Sequence, residues 1–158
     1  LTGHLVFSTI HTNSAAGAVT RLLDMNIEPF LISSAVIGVI AQRLLRKLCP
    51  SCKKEYVPDA EMIARLKKMG GKADQIFFAH AKGCDQCLGT GYQGRFGVFE
   101  VLKVDDVIRT MILKSATEKE IADQAKKNGM ADLQMAGLQA ALKKMTSIEE
   151  ALRITCTE

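Results

Sequence analysis

A chain of 158 residues with 47% apolar side chains is about the size of one ordinary domain and can bury a core, with room for a small appendage. Its 21 lysines and arginines against 17 aspartates and glutamates give a net charge of +4, too mild to imply a nucleic-acid partner by itself. The longest apolar run, residues 30–41, is little more than half the roughly 20 residues a spanning helix needs, and residues 1–11 lack the basic start and cleavage site of an export signal.

Residues 5–10 (LVFSTI) are short, largely apolar and β-prone, which predicts a strand buried in a sheet and ended by His11, Thr12 and Asn13. With no initiator methionine and a strand so close to residue 1, the chain is expected to be cut from a longer protein. A sheet edge left open there predicts self-association. Asn13 or Ser14 can cap a helix whose apolar positions Val19, Leu22 and Leu23 share one face, with Asn26 near its end. Pro29 suits the first turn of a second helix, expected to run to about Leu48.

The middle of the chain changes character. Two cysteine pairs bracket Pro50, Pro58, Gly70 and Gly71, and a short helix is expected at residues 60–69. Gly89, Gly91, Gly94 and Gly97 then punctuate a stretch leading into a strand at residues 98–102, where a hairpin is expected. The remainder reads as helical. Asp105 or Asp106 starts one helix, and Thr117 with Glu120 forms a capping box for a second that ends at Gly129. A third runs from about Leu133 to Met145, and Ser147 with Glu150 makes another capping box before the last.

Cys49 with Cys52 and Cys84 with Cys87 are two CxxC pairs separated by 31 residues. A two-residue gap lets one tight turn aim two thiolates at a single ion, so two such turns complete a tetrahedral zinc shell. Two disulfides, or four reduced cysteines in a core, are the competing readings; a cytosolic compartment argues against the disulfides, and core cysteines would not need the paired CxxC spacing. Four thiolates leave no open coordination position, which makes the site structural rather than catalytic. Arg43, Arg46, Lys47, Lys53 and Lys54 crowd around the first pair and could offset the thiolate charge, form a solvated face or make a contact surface. Cys156 is left over as a free thiol.

His4 and His11 bracket the first strand, and His11, Thr9, Thr12 and Asn13 form a polar group at the strand end, where open α/β sheets bind ligands. Composition alone reads these as hydrogen-bonded capping residues. No phosphate loop of the form GxxxxGKS or GxxxxGKT, no HExxH and no GxSxG occurs in the chain, so it is expected not to turn over substrate by itself.

The stretch TGHLVFSTIHTN at residues 2–13 resembles the histidine box of the type II secretion and type IV pilus-assembly ATPases. The resemblance continues through RLLDMNIEPFLISSAVIGVIAQRLLRKLCPSC, returns in GCDQCLGTGYQGRFGVFEVL and again in MTSIEEALRIT. It implies the C-terminal part of a RecA-like α/β nucleotide-hydrolase domain at residues 1–48, a tetracysteine zinc insert at 49–97, and a strand with a C-terminal helical bundle at 98–158. His4 and His11 would then sense the γ-phosphate of ATP, with Gln42 and Arg43 of the QRL segment beside the nucleotide. The parent would be a cytoplasmic hexamer, peripheral at the inner membrane, that hydrolyses ATP with Mg²⁺ and drives a membrane platform. Three positions depart from the family pattern: Ser14 where Asp is usual, Ala136 where Asp precedes Gly137, and Lys144 where Gly is usual. Lys tolerates the left-handed helix-ending conformation less well than Gly, so the C-terminal region is expected to pack differently from its relatives.

The alternative is a zinc-ribbon binding module. CDQCLGTG at residues 84–91 fits one CxxCxGxG unit of the J-domain chaperones, which carry four, and six Phe with two Tyr offer few platforms for stacking bases.

Overall fold

In a computed structural model of the chain, residues 3–68 and 78–155 are described. The residues divide into two units: the chain up to Ala41 with Glu100–Asp132, and Gln42–Phe99 with the chain from Leu133 onward.

In the first unit Ser14 caps helix α1 (Ala15–Asp24), accepting the Gly17 N–H at 2.9 Å; serine fills the cap as well as aspartate would. The buried carboxylate of Glu100 accepts the Ala15 N–H at 2.7 Å, so two of the helix's first donors are satisfied. Asn26, at φ 59°, turns the chain out of α1, a left-handed conformation that Asn tolerates. Helix α2 (Pro29–Ala35) opens on its proline as expected but ends well before Leu48. From Gly38 the chain is strand β1 (Gly38–Leu48). The run Ala35 to Ile40 holds four β-branched residues, Val36, Ile37, Val39 and Ile40, around Gly38, which favours extended backbone over helix.

The partner of β1 is β4 (Tyr92–Lys103), longer than the expected strand. Val104 N–H donates to Ile37 C=O at one end and Cys49 N–H to Gly91 C=O at the other, so the two strands run antiparallel. The glycine-rich stretch therefore does not close a local hairpin. Its strand pairs with one more than forty residues earlier, because β1 presents a full-length ladder that a short local partner cannot match. Residues 5–10 are not a strand. They pair with no other strand among the described residues, and Leu5, Val6 and Phe7 are 66, 78 and 89% exposed; apolar, β-prone composition makes no strand without a neighbour for its backbone groups.

Two further helices complete the first unit: α4 (Asp106–Leu113), capped by Asp105, and α5 (Glu118–Lys127), opened by the Thr117–Glu120 capping box. Helix α2 packs on α4 and α1 on α5, around Val19, Ile32, Leu102, Ile108, Ile112 and Ile121. In the second unit the ribbon of β2 (Lys54–Tyr56) and β3 (Phe78–His80) pairs antiparallel, Glu55 opposite Ala79. Helix α3 (Ala60–Lys68) matches its expected position up to the end of the described segment, with Asp59 accepting the Met62 N–H at 2.7 Å. Helices α6 (Leu133–Leu142) and α7 (Ile148–Thr155) pack together over Leu66, Leu138, Ala141, Ile148 and Ala151.

Lys144 ends α6 at φ 58°, in the left-handed region, with Lys144 N–H on Ala141 C=O and Met145 N–H on Ala140 C=O, the two bonds of a Schellman turn. A side chain there costs about 1 kcal/mol relative to glycine, and the exposed ion pair of Lys144 with Glu55 returns little of it. Lys144→Gly is expected to raise stability by about 0.5–1 kcal/mol, read as a higher thermal midpoint; a lower one would show the ion pair to be the larger effect.

Candidate metal centre

Strand β1 delivers Cys49 at its end, and the turn that follows brings Cys52 back. A short 3₁₀ turn, Asp85–Cys87, does the same for Cys84 and Cys87. Ser51 Oγ donates to Gln86 Oε1 at 2.5 Å, joining one turn to the other. Glycine is required at two places here. A Cβ on Gly91, at φ +75°, would lie 2.4 Å from that of Ala81, and one on Gly83, at φ +94°, would lie 2.6 Å from the Gly89 carbonyl oxygen.

The four sulfurs lie within 4.8 Å of one another. Cys49 to Cys84 is 3.9 Å, Cys52 to Cys87 3.8 Å and Cys84 to Cys87 3.7 Å. A disulfide needs about 2.05 Å, so these are four free thiols. A regular tetrahedron with metal–sulfur bonds of about 2.3 Å has edges of about 3.8 Å. The spacing therefore fits one tetrahedral ion, and Cys49, Cys52, Cys84 and Cys87 are the residues that would hold it. Such an ion would supply cross-linking rather than reaction chemistry, since four thiolates close the shell.

Burial opposes ionisation of the Cys52 and Cys87 thiols. At Cys87 the N–H groups of Cys84 and Gly91, at 3.2 and 3.1 Å, overcome it and bring the pKa down to about 6. At Cys52 burial prevails despite a Gly83 N–H, the neighbouring sulfurs add to it, and the pKa is pushed up to about 12. A bound cation reverses that balance and draws the thiolate form from every ligand.

Arg46 does not serve as a counter-charge for the sulfurs. Its guanidinium donates to Glu150 at 2.7 Å and lies over the Tyr92 ring, 4.1 Å from the centroid. Glu150, 1% exposed, also accepts from the Arg46 backbone N–H at 3.1 Å and from Arg153 at 3.0 Å. The expected second capping box is thus half made: Ser147 Oγ accepts the Glu150 N–H at 3.1 Å, but the Glu150 carboxylate is turned to the arginines. Tyr92 Oη and Ser147 Oγ meet at 2.8 Å, and Thr146 Oγ1 donates to the Arg46 carbonyl at 2.8 Å. The start of α7 is consequently tied to the strand that leads into the first cysteine pair. The sequence did not point to this network, because the Ser147–Glu150 spacing already had a local explanation and the burial of Glu150 is set by the fold.

His4 and His11 lie on the exposed stretch before α1, in the first unit. Gln42 and Arg43 lie on β1 in the second, Gln42 exposed and Arg43 half-buried, with Arg43 Nη1 donating to the Gln42 carbonyl at 3.2 Å. Cys156 falls outside the described residues. Among the described residues no helix is long and apolar enough to cross a membrane.

A mixed α/β chain with four clustered cysteines defines a class of protein in which an ion held by all four sulfurs would be structural. Comparison narrows that class. The family model described as "Type II/IV secretion system protein" matches residues 1–153. The chain is 46% identical over 98% of its length to the type IV pilus assembly ATPase PilB of Thermus thermophilus. It is 44% identical over its whole length to type II secretion system protein E of Pseudomonas aeruginosa, and 45% over 98% to type II secretion system ATPase E of Vibrio cholerae. The chain belongs to the Type II/IV secretion system protein family. It spans 17% of the first of these relatives, 31% of the second and 30% of the third.

Proposed function

We propose that this chain is the C-terminal part of an ATPase that powers type II protein secretion or type IV pilus assembly, and that its four-cysteine centre binds one structural Zn²⁺. The observation that carries the reading is identity of 44–46% sustained over 98–100% of the chain with proteins named for those two tasks. In this reading residues 1–48 belong to a RecA-like core, 49–97 to the zinc insert and 98–158 to a strand and helical subdomain. The parent is a cytoplasmic hexamer held at the inner membrane by a platform protein. ATP and Mg²⁺ bind through a phosphate loop and acidic residues supplied from elsewhere in that parent, since the chain holds no such loop.

His4 and His11 sense the γ-phosphate, and Gln42 and Arg43 stand beside the nucleotide. Phosphoryl transfer in this class rests on positioning and charge stabilisation, so a lost donor acts on turnover more than on binding. His11→Ala in the full-length parent is expected to lower ATP turnover about tenfold or more while nucleotide affinity changes little. The isolated chain is expected to show none. Wild-type turnover in the variant would remove the histidine from the site, and steady hydrolysis by the isolated chain would overturn the assignment of the phosphate loop to the rest of the parent.

A further inference from the structure

Arg46, Thr90, Tyr92, Gly94 and Arg95 line a wide-open surface cavity of about 350 Å³. All five belong to the second unit. Two of them are arginines and none is acidic. The nearby carboxylate of Glu150 is buried and divided between Arg46 and Arg153. Two guanidinium groups against one carboxylate leave that network with one excess positive charge, and Arg95 adds another.

Arg46 is also held in place. One nitrogen is fixed on Glu150 at 2.7 Å, the plane is laid against Tyr92 at 4.1 Å, and 44% of the side chain remains exposed. A guanidinium carries five N–H donors in a rigid fork that matches the oxygens of phosphate and carboxylate, and one already oriented by its neighbours loses little freedom when it binds. Gly94, at φ +76°, places no side chain between Tyr92 and Arg95.

We propose that this cavity is an oxoanion site, taking a phosphate or a carboxylate group between Arg46 and Arg95. The site is separate from the cysteine centre and does not rest on the assignment of the chain to an ATPase. Its ligand arrives either as a free or small-molecule phosphate or as an acidic side chain of a partner protein, and the chemistry recognised is the same in both cases.

The test is an amide-resolved NMR titration of the full, metal-loaded chain with inorganic phosphate and, separately, with a hexaglutamate peptide, each at fixed ionic strength against a sodium chloride control. Saturable shifts at the amides of Thr90, Tyr92, Gly94 and Arg95 that chloride does not reproduce are expected. Arg95→Gln, an exposed position outside the Glu150 network, should weaken binding roughly tenfold. Arg46→Lys, which keeps the charge and loses the fork, should weaken it comparably. Saturation by phosphate alone assigns the site to phosphate, and tighter binding of the peptide assigns it to an acidic protein segment. Shifts that never saturate, that chloride reproduces, or that survive Arg95→Gln unchanged overturn the proposal.

Discussion

Cys87→Ser is expected to leave the chain with well under one metal ion and to lower the thermal midpoint of its second unit by about 10 °C or more. The wild-type chain, prepared without chelator, should carry one zinc. The reasoning starts from distances. Sulfurs 3.7 to 3.9 Å apart are too far for disulfides and right for a shared ion. Cys87 is also the sulfur that two backbone N–H groups address, so its loss removes a ligand and leaves those donors facing a shorter side chain. Binding of structural zinc in small modules is worth on the order of 10 kcal/mol or more, comparable to the whole stability of a domain. Apart from the Ser51–Gln86 and Cys49–Gly91 hydrogen bonds, little apolar packing holds the two turns. Cys49, Cys52 and Cys87 form a buried cluster of their own, packed only against Cys84 among apolar neighbours of the described residues. Elemental analysis and a thermal melt decide the matter, and a variant that keeps one metal ion and melts with the wild type would refute the centre. A strong chelator should reproduce the variant's melt in the wild-type chain.

The second large effect is at Glu150. Its side chain is 1% exposed and meets three donors, the Arg46 guanidinium, the Arg46 backbone N–H and Arg153. Burial alone would raise its pKa; the bond from the Arg46 side chain and those from the Arg46 backbone and Arg153 outweigh it and bring the value down to about 2. A carboxylate whose folded pKa is depressed contributes stability that is fully present above its unfolded value, near 4.3, and that is lost as the pH falls toward 2. The contribution is roughly 3 kcal/mol at neutral pH. Glu150→Ala should therefore cost about 2–4 kcal/mol at pH 7, since it strands the Arg46 backbone donor and opens a cavity, although Arg46 itself can turn to water. Near pH 2 the two proteins should differ far less. Urea melts at pH 7 and pH 2.5 provide the comparison, and a difference that does not shrink with acid would sink the charge argument and leave only packing.

The two predictions concern neighbouring parts of one unit. Leu48 N–H donates to the Met145 carbonyl, Thr146 to the Arg46 carbonyl, and Tyr92 meets Ser147, so the loop before α7 is tied to both strands that lead to the cysteines.

What could be read from the residues was what depends on near neighbours in the chain. Ser14, Asp105 and Thr117 with Glu120 act within a few residues of themselves, and each caps the helix expected of it. The CxxC spacing is equally local, and both turns form as the spacing demands. The family membership was legible too, because the motifs at residues 2–13, 21–52 and 83–102 are long and ordered. Tertiary structure decided the rest. Residues 36–48 hold an apolar run that suits a helix or a strand, and pairing with β4, distant in sequence, selects the strand. Residues 5–10 have the composition of a strand and form none, since a strand exists only with a partner for its backbone groups. Glu150 has the spacing of a cap and the function of a buried counter-ion, because Arg46, 104 residues away, reaches it with a stronger, charged donor than the Ser147 backbone offers. Local hydrogen bonds and turn geometry are set by adjacent side chains; ladders and buried ion pairs are set by which distant segments the fold brings together.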